Sequence, residues 1–180
     1  LSNTAEQDTG FGKATFKNIE GISGTGADDV FTDNASDNFF EGRGGNDVFN
    51  LSNGGQDTLI YKLLNDTDAT GGNGSDVVNG FTVGVVEATA NADIIDLKDL
   101  LVGYQADANG AAHYINGVAT IDAGNTIEQF LKVVQEGDNT VVKIDHDGAT
   151  GGSEFKTLVT LNDVQTDLAT LLANHQIVIG

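Results

Sequence analysis

The chain has 180 residues, of which 8 are lysine or arginine and 27 are aspartate or glutamate, and its formal net charge is −19. This charge makes nucleic acid and anionic membrane surfaces poor partners, because binding to either needs clustered cations. The absence of cysteine excludes disulfides and thiolate metal sites.

The first 23 residues are predicted to be a lead-in that caps a repeated region, and not a signal peptide. The opening segment LSNTAEQDTG (1–10) has neither the basic segment nor the apolar core of an export signal. No stretch of the chain approaches about 18 consecutive apolar residues, so we expect no insertion into a membrane.

A repeat with a period of nine residues begins at Gly24. The first three units read GTGADDVFT (24–32), DNASDNFFE (33–41) and GRGGNDVFN (42–50). Phe31, Phe40 and Phe49 fall in register, and an acidic or amide residue lies two places before each of them. Two ten-residue units, LSNGGQDTLI and YKLLNDTDAT, follow, and GGNGSDVVN (71–79) completes the block of six.

The last unit matches the pattern G-G-x-G-x-D-x-U-x, which is the calcium-binding repeat of parallel β-helices. Glycine permits a positive φ in the turn and leaves backbone carbonyl oxygens accessible, while the last three residues suit a short strand with an inward apolar side chain. Two units would complete one coil. The six units therefore predict an all-β fold, a right-handed parallel β-roll (a β-helix or solenoid) over residues 24–80.

Calcium is predicted to lie between turns that stack on the same edge of this roll, held by carboxylates and backbone carbonyls. The best predicted pairs are Asp29 with Asp47 on one edge and Asp57 with Asp76 on the other. The predicted ligand residues of the repeats are Gly24, Gly26, Asp28, Asp29, Gly42, Gly44, Asn46, Asp47, Gly54, Asp57, Gly71, Asn73 and Asp76.

Two turns of the block match the pattern less well. The turn at 33–38 has Ala35 and Asn38 where glycine and aspartate are expected, which predicts weak binding. The turn at 61–66 has no glycine, which makes Asp66 a poor candidate ligand. Two other interpretations are a disordered linker with chance spacing and a β-helix that binds no metal. Six units in register count against the first, and repulsion between stacked aspartates counts against the second.

These repeats resemble those of the RTX family, whose members are substrates of bacterial type I secretion. TFKNIEGISGTGADDVF (15–31) is similar to the segment that leads into the repeats of long RTX adhesins. DVVNGFTVG (76–84) and DIIDLKDLL (93–101) resemble the run-out into the family's C-terminal secretion module. Gly80 stands where that pattern carries aspartate, and VVEATANA (85–92) is longer than usual. The resemblance adds Asp93 to the predicted calcium ligands.

The remainder of the chain is also similar to this module. TIEQFLKV (126–133) has apolar residues at helical spacing, which predicts a short helix. VVQEGDNTVV (133–142) has apolar runs on both sides of a turn, which predicts a hairpin. FKTLVTL (155–161) predicts a strand, LATLLA (168–173) a short helix entered from Thr166 or Asp167, and IVI (177–179) a final strand. Residues 81–180 are therefore predicted to be a β-rich capping lobe with short helices that carries the type I secretion signal.

The sequence gives no indication of catalysis. It contains no H-E-x-x-H, G-x-S-x-G or P-loop motif, so we expect that the chain is not an enzyme. Asp145, Asp147 and Gly148 form a D-x-D-G loop, which is either a plain turn or a further calcium site.

The resemblance implies the calcium-dependent folding and type I secretion region of a large bacterial surface adhesin, secreted or at the cell surface. It also implies binding of several Ca²⁺ ions, and as partners the ABC transporter, membrane fusion protein and outer-membrane channel of the export machinery. We expect a monomer. The alternatives are the same module behind a secreted protease or lipase, and a calcium-dependent ligand-binding module.

Overall fold

The computed structural model describes residues 7–8, 13–14, 19–65, 67–101, 104–105, 112–115, 118–120, 127–148 and 154–179. The strands are Gln7–Asp8 (β1), Lys13–Ala14 (β2), Gly21–Ser23 (β3), Val30–Thr32 (β4), Phe39–Glu41 (β5), Val48–Asn50 (β6), Thr58–Lys62 (β7), Asp76–Asn79 (β8), Ile94–Asp99 (β9), Tyr104–Gln105 (β10), Ala112–Ile115 (β11), Val118–Thr120 (β12), Leu131–Glu136 (β13), Asn139–Ile144 (β14), Lys156–Asn162 (β15) and Ile177–Val178 (β16). An α-helix, Leu168–Ala173 (α1), and a 3₁₀ helix, Ile127–Gln129, complete the elements of the described residues.

Successive strands of the repeated region alternate between two sheets. The first sheet has the order β16-β9-β7-β5-β3, and every pair in it is parallel. The second sheet has the order β13-β14-β15-β8-β6-β4. In this second sheet β15, β8, β6 and β4 are parallel to one another, whereas β14 is antiparallel to both of its neighbours, β13 and β15.

The predicted fold class, an all-β right-handed parallel β-roll with a C-terminal β-rich cap carrying short helices, is wrong. The structure is a mixed, α/β-like fold with few helices and two principal sheets, one parallel and one mixed. The physical reason lies in β15, which pairs with β8 on one side and with β14 on the other. An antiparallel meander thus continues the sheet of the repeats, and strands from both sides of residue 80 share it. The division of the chain at residues 23 and 80 stays a prediction.

The apolar position of each repeat that forms its own strand points into the core, as predicted from the register. Phe40, Phe49 and Val78 are almost completely buried, and Phe31 is buried as well. The rings of Phe31 and Phe49 stack with centroids 5.0 Å apart, because their strands pair in parallel with these two residues opposite each other. Apolar side chains from both sheets join a single core cluster. Burial of this row accounts for the folding of units that are each too short to fold alone.

The C-terminal elements agree with the sequence except at one helix. The predicted hairpin is formed by β13 and β14, and α1 has Asp167 as its N-cap, with the Asp167 carboxylate accepting from the Thr170 N–H at 2.7 Å. The helix predicted over 126–133 is wrong, since the described part of that segment has only the 3₁₀ helix before β13 begins. The branched residues Val133 and Val134 instead pair across the hairpin, where such side chains pack well.

An asparagine row ends the parallel strands of the mixed sheet. The amide of Asn162 on β15 donates to Asn79 on β8 at 2.8 Å, and the amide of Asn79 donates to Asn50 on β6 at 2.9 Å. Asn50 in turn donates to the Phe31 carbonyl of β4 at 3.1 Å. Side chains therefore link the repeats to the C-terminal strands. None of the helices in the described ranges has the length and apolar character needed to cross a membrane.

Candidate metal centre

Two rows of polar side chains lie where the repeat strands begin. Asp29 and Asp47 directly precede β4 and β6, and Asp76 is the first residue of β8. These three residues form what we call the first ladder. Asn38, Asp57 and Asp93 directly precede β5, β7 and β9, and they form the second ladder. Because parallel strands align the same position of each unit, the carboxylates follow one another about 4.8 Å apart.

Hydrogen bonds connect the members of the first ladder. The Asp29 N–H donates to Asp47 Oδ1 at 2.8 Å, and the Asp47 N–H donates to Asp76 Oδ1 at 2.8 Å. Each carboxylate thus binds the backbone of the preceding strand with one of its oxygens. This leaves the other oxygen for a different partner.

The second ladder repeats this arrangement beside the parallel sheet. The Asn38 N–H donates to Asp57 Oδ1 at 2.9 Å, and the Asp57 N–H donates to Asp93 Oδ1 at 2.9 Å. Asp93 lies beyond the repeats, so the run-out segment completes this ladder.

The predicted pair of Asp29 with Asp47 is confirmed as a contact, but the predicted pair of Asp57 with Asp76 is wrong. Asp76 follows Asp47, and Asp57 is followed by Asp93. The reason is that the fifth predicted unit, 61–70, does not supply a strand of its own. Its first two residues extend β7, and the chain then makes a longer turn before β8. Asp66 lies outside the described residues.

At the ends of the ladders, the second carboxylate oxygen of each aspartate accepts a hydrogen bond. Asp29 Oδ2 accepts from the N–H and hydroxyl of Thr25 at 2.7 and 3.0 Å. Asp76 Oδ2 accepts from the Tyr61 hydroxyl at 3.0 Å, and Asp93 Oδ2 accepts from the Thr82 N–H at 2.8 Å.

The central aspartates have no such partner. Asp47 Oδ2 and Asp57 Oδ2 are both buried, and neither has a hydrogen-bond partner among the described residues. A buried carboxylate oxygen without a donor is costly unless a proton or a cation satisfies it. These two oxygens are therefore the positions where a hard cation fits best.

Burial controls the protonation of the ladders. It raises the pKa of Asp76 and of Asp93 to about 7, against the opposing effect of their backbone hydrogen bonds. Burial likewise raises the pKa of Asp57 to about 6, and it raises the pKa of Asp47 above its usual value. Neighbouring carboxylates add to each of these effects. The ladders thus favour a bound positive charge or bound protons near neutral pH.

Two glycines, which lack a Cβ atom, leave space for carboxylates of the first ladder. A Cβ atom added to Gly42 would lie 2.1 Å from Asp47 Oδ2, and one added to Gly24 would lie 2.7 Å from Asp29 Oδ2. Gly54 and Gly71 have positive φ values of 87° and 64°, which favour glycine. A Cβ atom added to Gly26 would meet open space among the described residues, whereas one added to Gly44 would lie 3.1 Å from the Gly72 carbonyl oxygen. The role of these glycines in metal binding stays a prediction.

The other predicted ligands hold neighbouring turns together. Asp28 Oδ1 accepts from the Asn46 N–H at 2.7 Å, and Asn46 Oδ1 accepts from the Ser75 N–H at 3.0 Å. The Asn73 amide is buried and donates to the carbonyls of Lys62 and Thr70, both at 2.8 Å. These contacts fix the backbone of the turns whose carbonyl oxygens a cation would need.

The ladder carboxylates lie along columns and do not converge on one point. Within the described residues, no group of three or more His, Cys, Asp or Glu side chains could hold a metal ion by itself. Calcium takes six to eight oxygen ligands and readily accepts backbone carbonyls and water. The donor set, one or two carboxylates beside a glycine-rich turn, suits calcium better than a metal that prefers nitrogen or sulfur ligands.

The D-x-D-G loop forms a turn at the end of β14. The Gly148 N–H donates to the Asp145 carbonyl at 3.0 Å, and the His146 N–H donates to the Ala69 carbonyl at 3.0 Å. Burial and the nearby Asp147 carboxyl raise the pKa of Asp145 to about 6. Calcium binding by this loop stays an open alternative.

Tyr61 and Thr82 are site residues that the sequence did not indicate. The absence of glycine in 61–66 was a signal that this segment was not a regular turn, and so that Tyr61 belonged to a strand. The donor role of the Tyr61 hydroxyl depends on contacts across the core and has no local signal.

Comparison with known proteins adds no family assignment. A scan against models of protein families finds none that matches this chain, and a search of curated proteins also finds no match.

Proposed function

We propose that this chain is a calcium-dependent folding and export region, non-catalytic in itself, of a large bacterial surface adhesin. The observation that carries the calcium proposal is the pair of buried, unpartnered oxygens, Asp47 Oδ2 and Asp57 Oδ2, at the centres of two aspartate ladders. The export and adhesin parts of the proposal rest on the sequence resemblance to RTX substrates of type I secretion.

The electrostatics of the ladders support a folding equilibrium that depends on cations. Four aspartates, Asp47, Asp57, Asp76 and Asp93, are almost completely buried within two short columns. Ionising them without a counter-charge opposes folding, because burial and mutual repulsion both penalise the charged form. A bound calcium ion would supply positive charge next to the unpartnered oxygens.

The expected size of this effect is sufficient to decide whether the chain folds. Extracellular calcium modules have dissociation constants of about 10⁻⁴–10⁻³ M. A site at ten times its dissociation constant adds about 1.4 kcal/mol to the stability of the folded state. Two or more such sites are a substantial fraction of the roughly 5–15 kcal/mol of an ordinary domain.

This equilibrium suits export through a narrow channel. In the cytoplasm, where free calcium is scarce, the net charge of −19 keeps the chain extended and ready for threading. Outside the cell, folding on calcium opposes return through the channel. The proposed partners are the ABC transporter, the membrane fusion protein and the outer-membrane channel of type I secretion, and the proposed location is the extracellular surface.

The test is calorimetric titration of calcium into the chelator-treated chain, followed in parallel by far-UV circular dichroism. We expect binding in the range of 10⁻⁴–10⁻³ M together with a change from coil to β-rich signal. A magnesium titration is the control for a non-specific charge effect. The calcium proposal is wrong if the chain in excess chelator already shows the full β signal and calcium produces no binding heat.

A further inference from the structure

Tyr61 connects the two sheets at the end of the first ladder. It lies on β7 of the parallel sheet, whereas Asp76 begins β8 of the mixed sheet. The Tyr61 hydroxyl donates to Asp76 Oδ2 at 3.0 Å, and both side chains are buried, with exposed fractions of 3% and 1%. The contact therefore crosses the core, where water does not compete for the carboxylate.

This contact leaves Asp76 with both oxygens held by neutral donors. Asp76 Oδ1 accepts from the Asp47 N–H, and Oδ2 accepts from Tyr61. Hydrogen bonds to an ionised carboxylate stabilise its charged form and fix its orientation. Among the described residues, Asp47, the next member of the ladder, has no comparable donor for its second oxygen.

The second ladder has a different end. The residue equivalent to Asp76 is Asp93, whose Oδ2 accepts from the backbone N–H of Thr82. No hydroxyl takes part in that contact, so a side-chain substitution at Tyr61 perturbs the first ladder and leaves the hydrogen bonds of the second in place. The two ladders can thus be distinguished by experiment.

We propose that Tyr61 is a positioning residue for cation binding by the first ladder: its hydroxyl fixes the orientation of the Asp76 carboxylate, so that a cation bound at Asp47 has a second carboxylate in place. This inference rests on the proposed calcium function and deepens it. It makes the affinity of one ladder depend on a side chain from the opposite sheet.

The experiment uses full-length variants in which only one ladder can bind. Asp57→Asn removes the central carboxylate of the second ladder, and Asp47→Asn removes that of the first. Tyr61→Phe is then added to each background, and calcium binding is measured by calorimetry. Tyr104→Phe is the matched control, since Tyr104 packs against Phe130 at a centroid distance of 5.5 Å, and no hydrogen bond joins it to a ladder within the described part of the chain.

We expect Tyr61→Phe to weaken calcium binding about tenfold or more in the Asp57→Asn background, in keeping with the loss of one hydrogen bond to a charged group. Binding in the Asp47→Asn background should be unchanged, and Tyr104→Phe should have no effect in either background. Equal weakening in both backgrounds would show a general packing role and overturn the proposal, as would unchanged binding in both.

A second measurement does not depend on how the Tyr61 variant folds. The chain has three tyrosines and no tryptophan, so its near-ultraviolet absorbance reports tyrosine alone near 280 nm. Calcium should produce a larger tyrosine difference signal in Asp57→Asn than in Asp47→Asn, where only the coupled folding contributes. A signal of the same size in both would contradict the assignment to Tyr61. Failure of the unsubstituted chain to bind calcium would instead refute the proposed function itself.

Discussion

Protons should replace calcium in stabilising the folded chain. In calcium-depleted buffer, Asp76 and Asp93 are buried carboxyls whose pKa is raised from 3.8 to about 7. In the unfolded chain both carboxyls titrate near the ordinary aspartate value of about 3.9. The folded state therefore binds more protons than the unfolded state between about pH 4 and pH 7. Stability must then fall as the pH rises through this window.

The size of this change in stability follows from the two raised pKa values. One pKa unit corresponds to about 1.4 kcal/mol, and about 2.5 units lie between pH 4.5 and the raised pKa, so each of these carboxyls makes the folded state about 3 kcal/mol less stable at pH 8 than at pH 4.5. Together they account for about 6 kcal/mol, which is a large part of the roughly 5–15 kcal/mol of an ordinary domain. Asp57, with its pKa raised to about 6, acts in the same direction.

The measurement is urea unfolding at several pH values from 4.5 to 8, followed by circular dichroism in calcium-depleted buffer. We expect a folded chain near pH 5, a steep loss of stability between pH 6 and 8, and recovery at pH 8 on adding calcium. The double substitution Asp76→Asn and Asp93→Asn, which mimics protonation, should flatten the profile. Stability that is constant or rises from pH 5 to pH 8 without calcium would refute this reasoning.

Three further predictions concern the ladder, a turn and the core. Replacing Asp47 or Asp76 by alanine should raise the calcium midpoint in a titration followed by circular dichroism. In the double variant, the free-energy change should be smaller than the sum of the two single changes, because both residues serve one ladder. Full additivity would place the two residues in separate sites. Gly45→Ala should lower the free energy of unfolding in urea by at least about 1–3 kcal/mol, because Gly45 has φ of 114° and its Cβ would lie 2.6 Å from the backbone of the facing turn. Gly137→Ala, at a positive φ with open space, is the control and should cost only about 1 kcal/mol. Phe49→Ala should lower the unfolding free energy by about 3–5 kcal/mol in the same assay, since the ring is 1% exposed, and a loss below about 1 kcal/mol would contradict its place in the core.

The repeats were predictable from sequence because parallel strands place equivalent residues side by side. The inward position of Phe31, Phe40 and Phe49 and the contact of Asp29 with Asp47 both follow from a fixed nine-residue spacing. The spacing is interrupted after residue 60, where strand β7 runs two residues further and a long turn follows. Counting units across this turn placed Asp76 on the wrong ladder, since nothing in the local sequence gives the length of an irregular turn.

The fold class was not predictable in the same way. The local sequence of each of the strands β13, β14 and β15 predicts a strand. No local pattern predicts that these strands join the sheet of the repeats. The pairing of β15 with β8 joins residues more than eighty positions apart, and it is decided by packing and not by local pattern. The segment 126–133 shows the same effect, because its helical spacing of apolar residues yields to a hairpin that pairs the half-buried Val133 with the buried Val142.

The asparagine row of Asn162, Asn79 and Asn50 suggests an order in which the strands of the mixed sheet add during folding. The antiparallel strands from 131 to 162 close only short loops, so they can form early and serve as a template for β8. Each asparagine that docks then presents its amide N–H to an acceptor on the next strand, so that strands add toward the N-terminus. A chain that leaves a channel C-terminus first would deliver its template before the strands that need it.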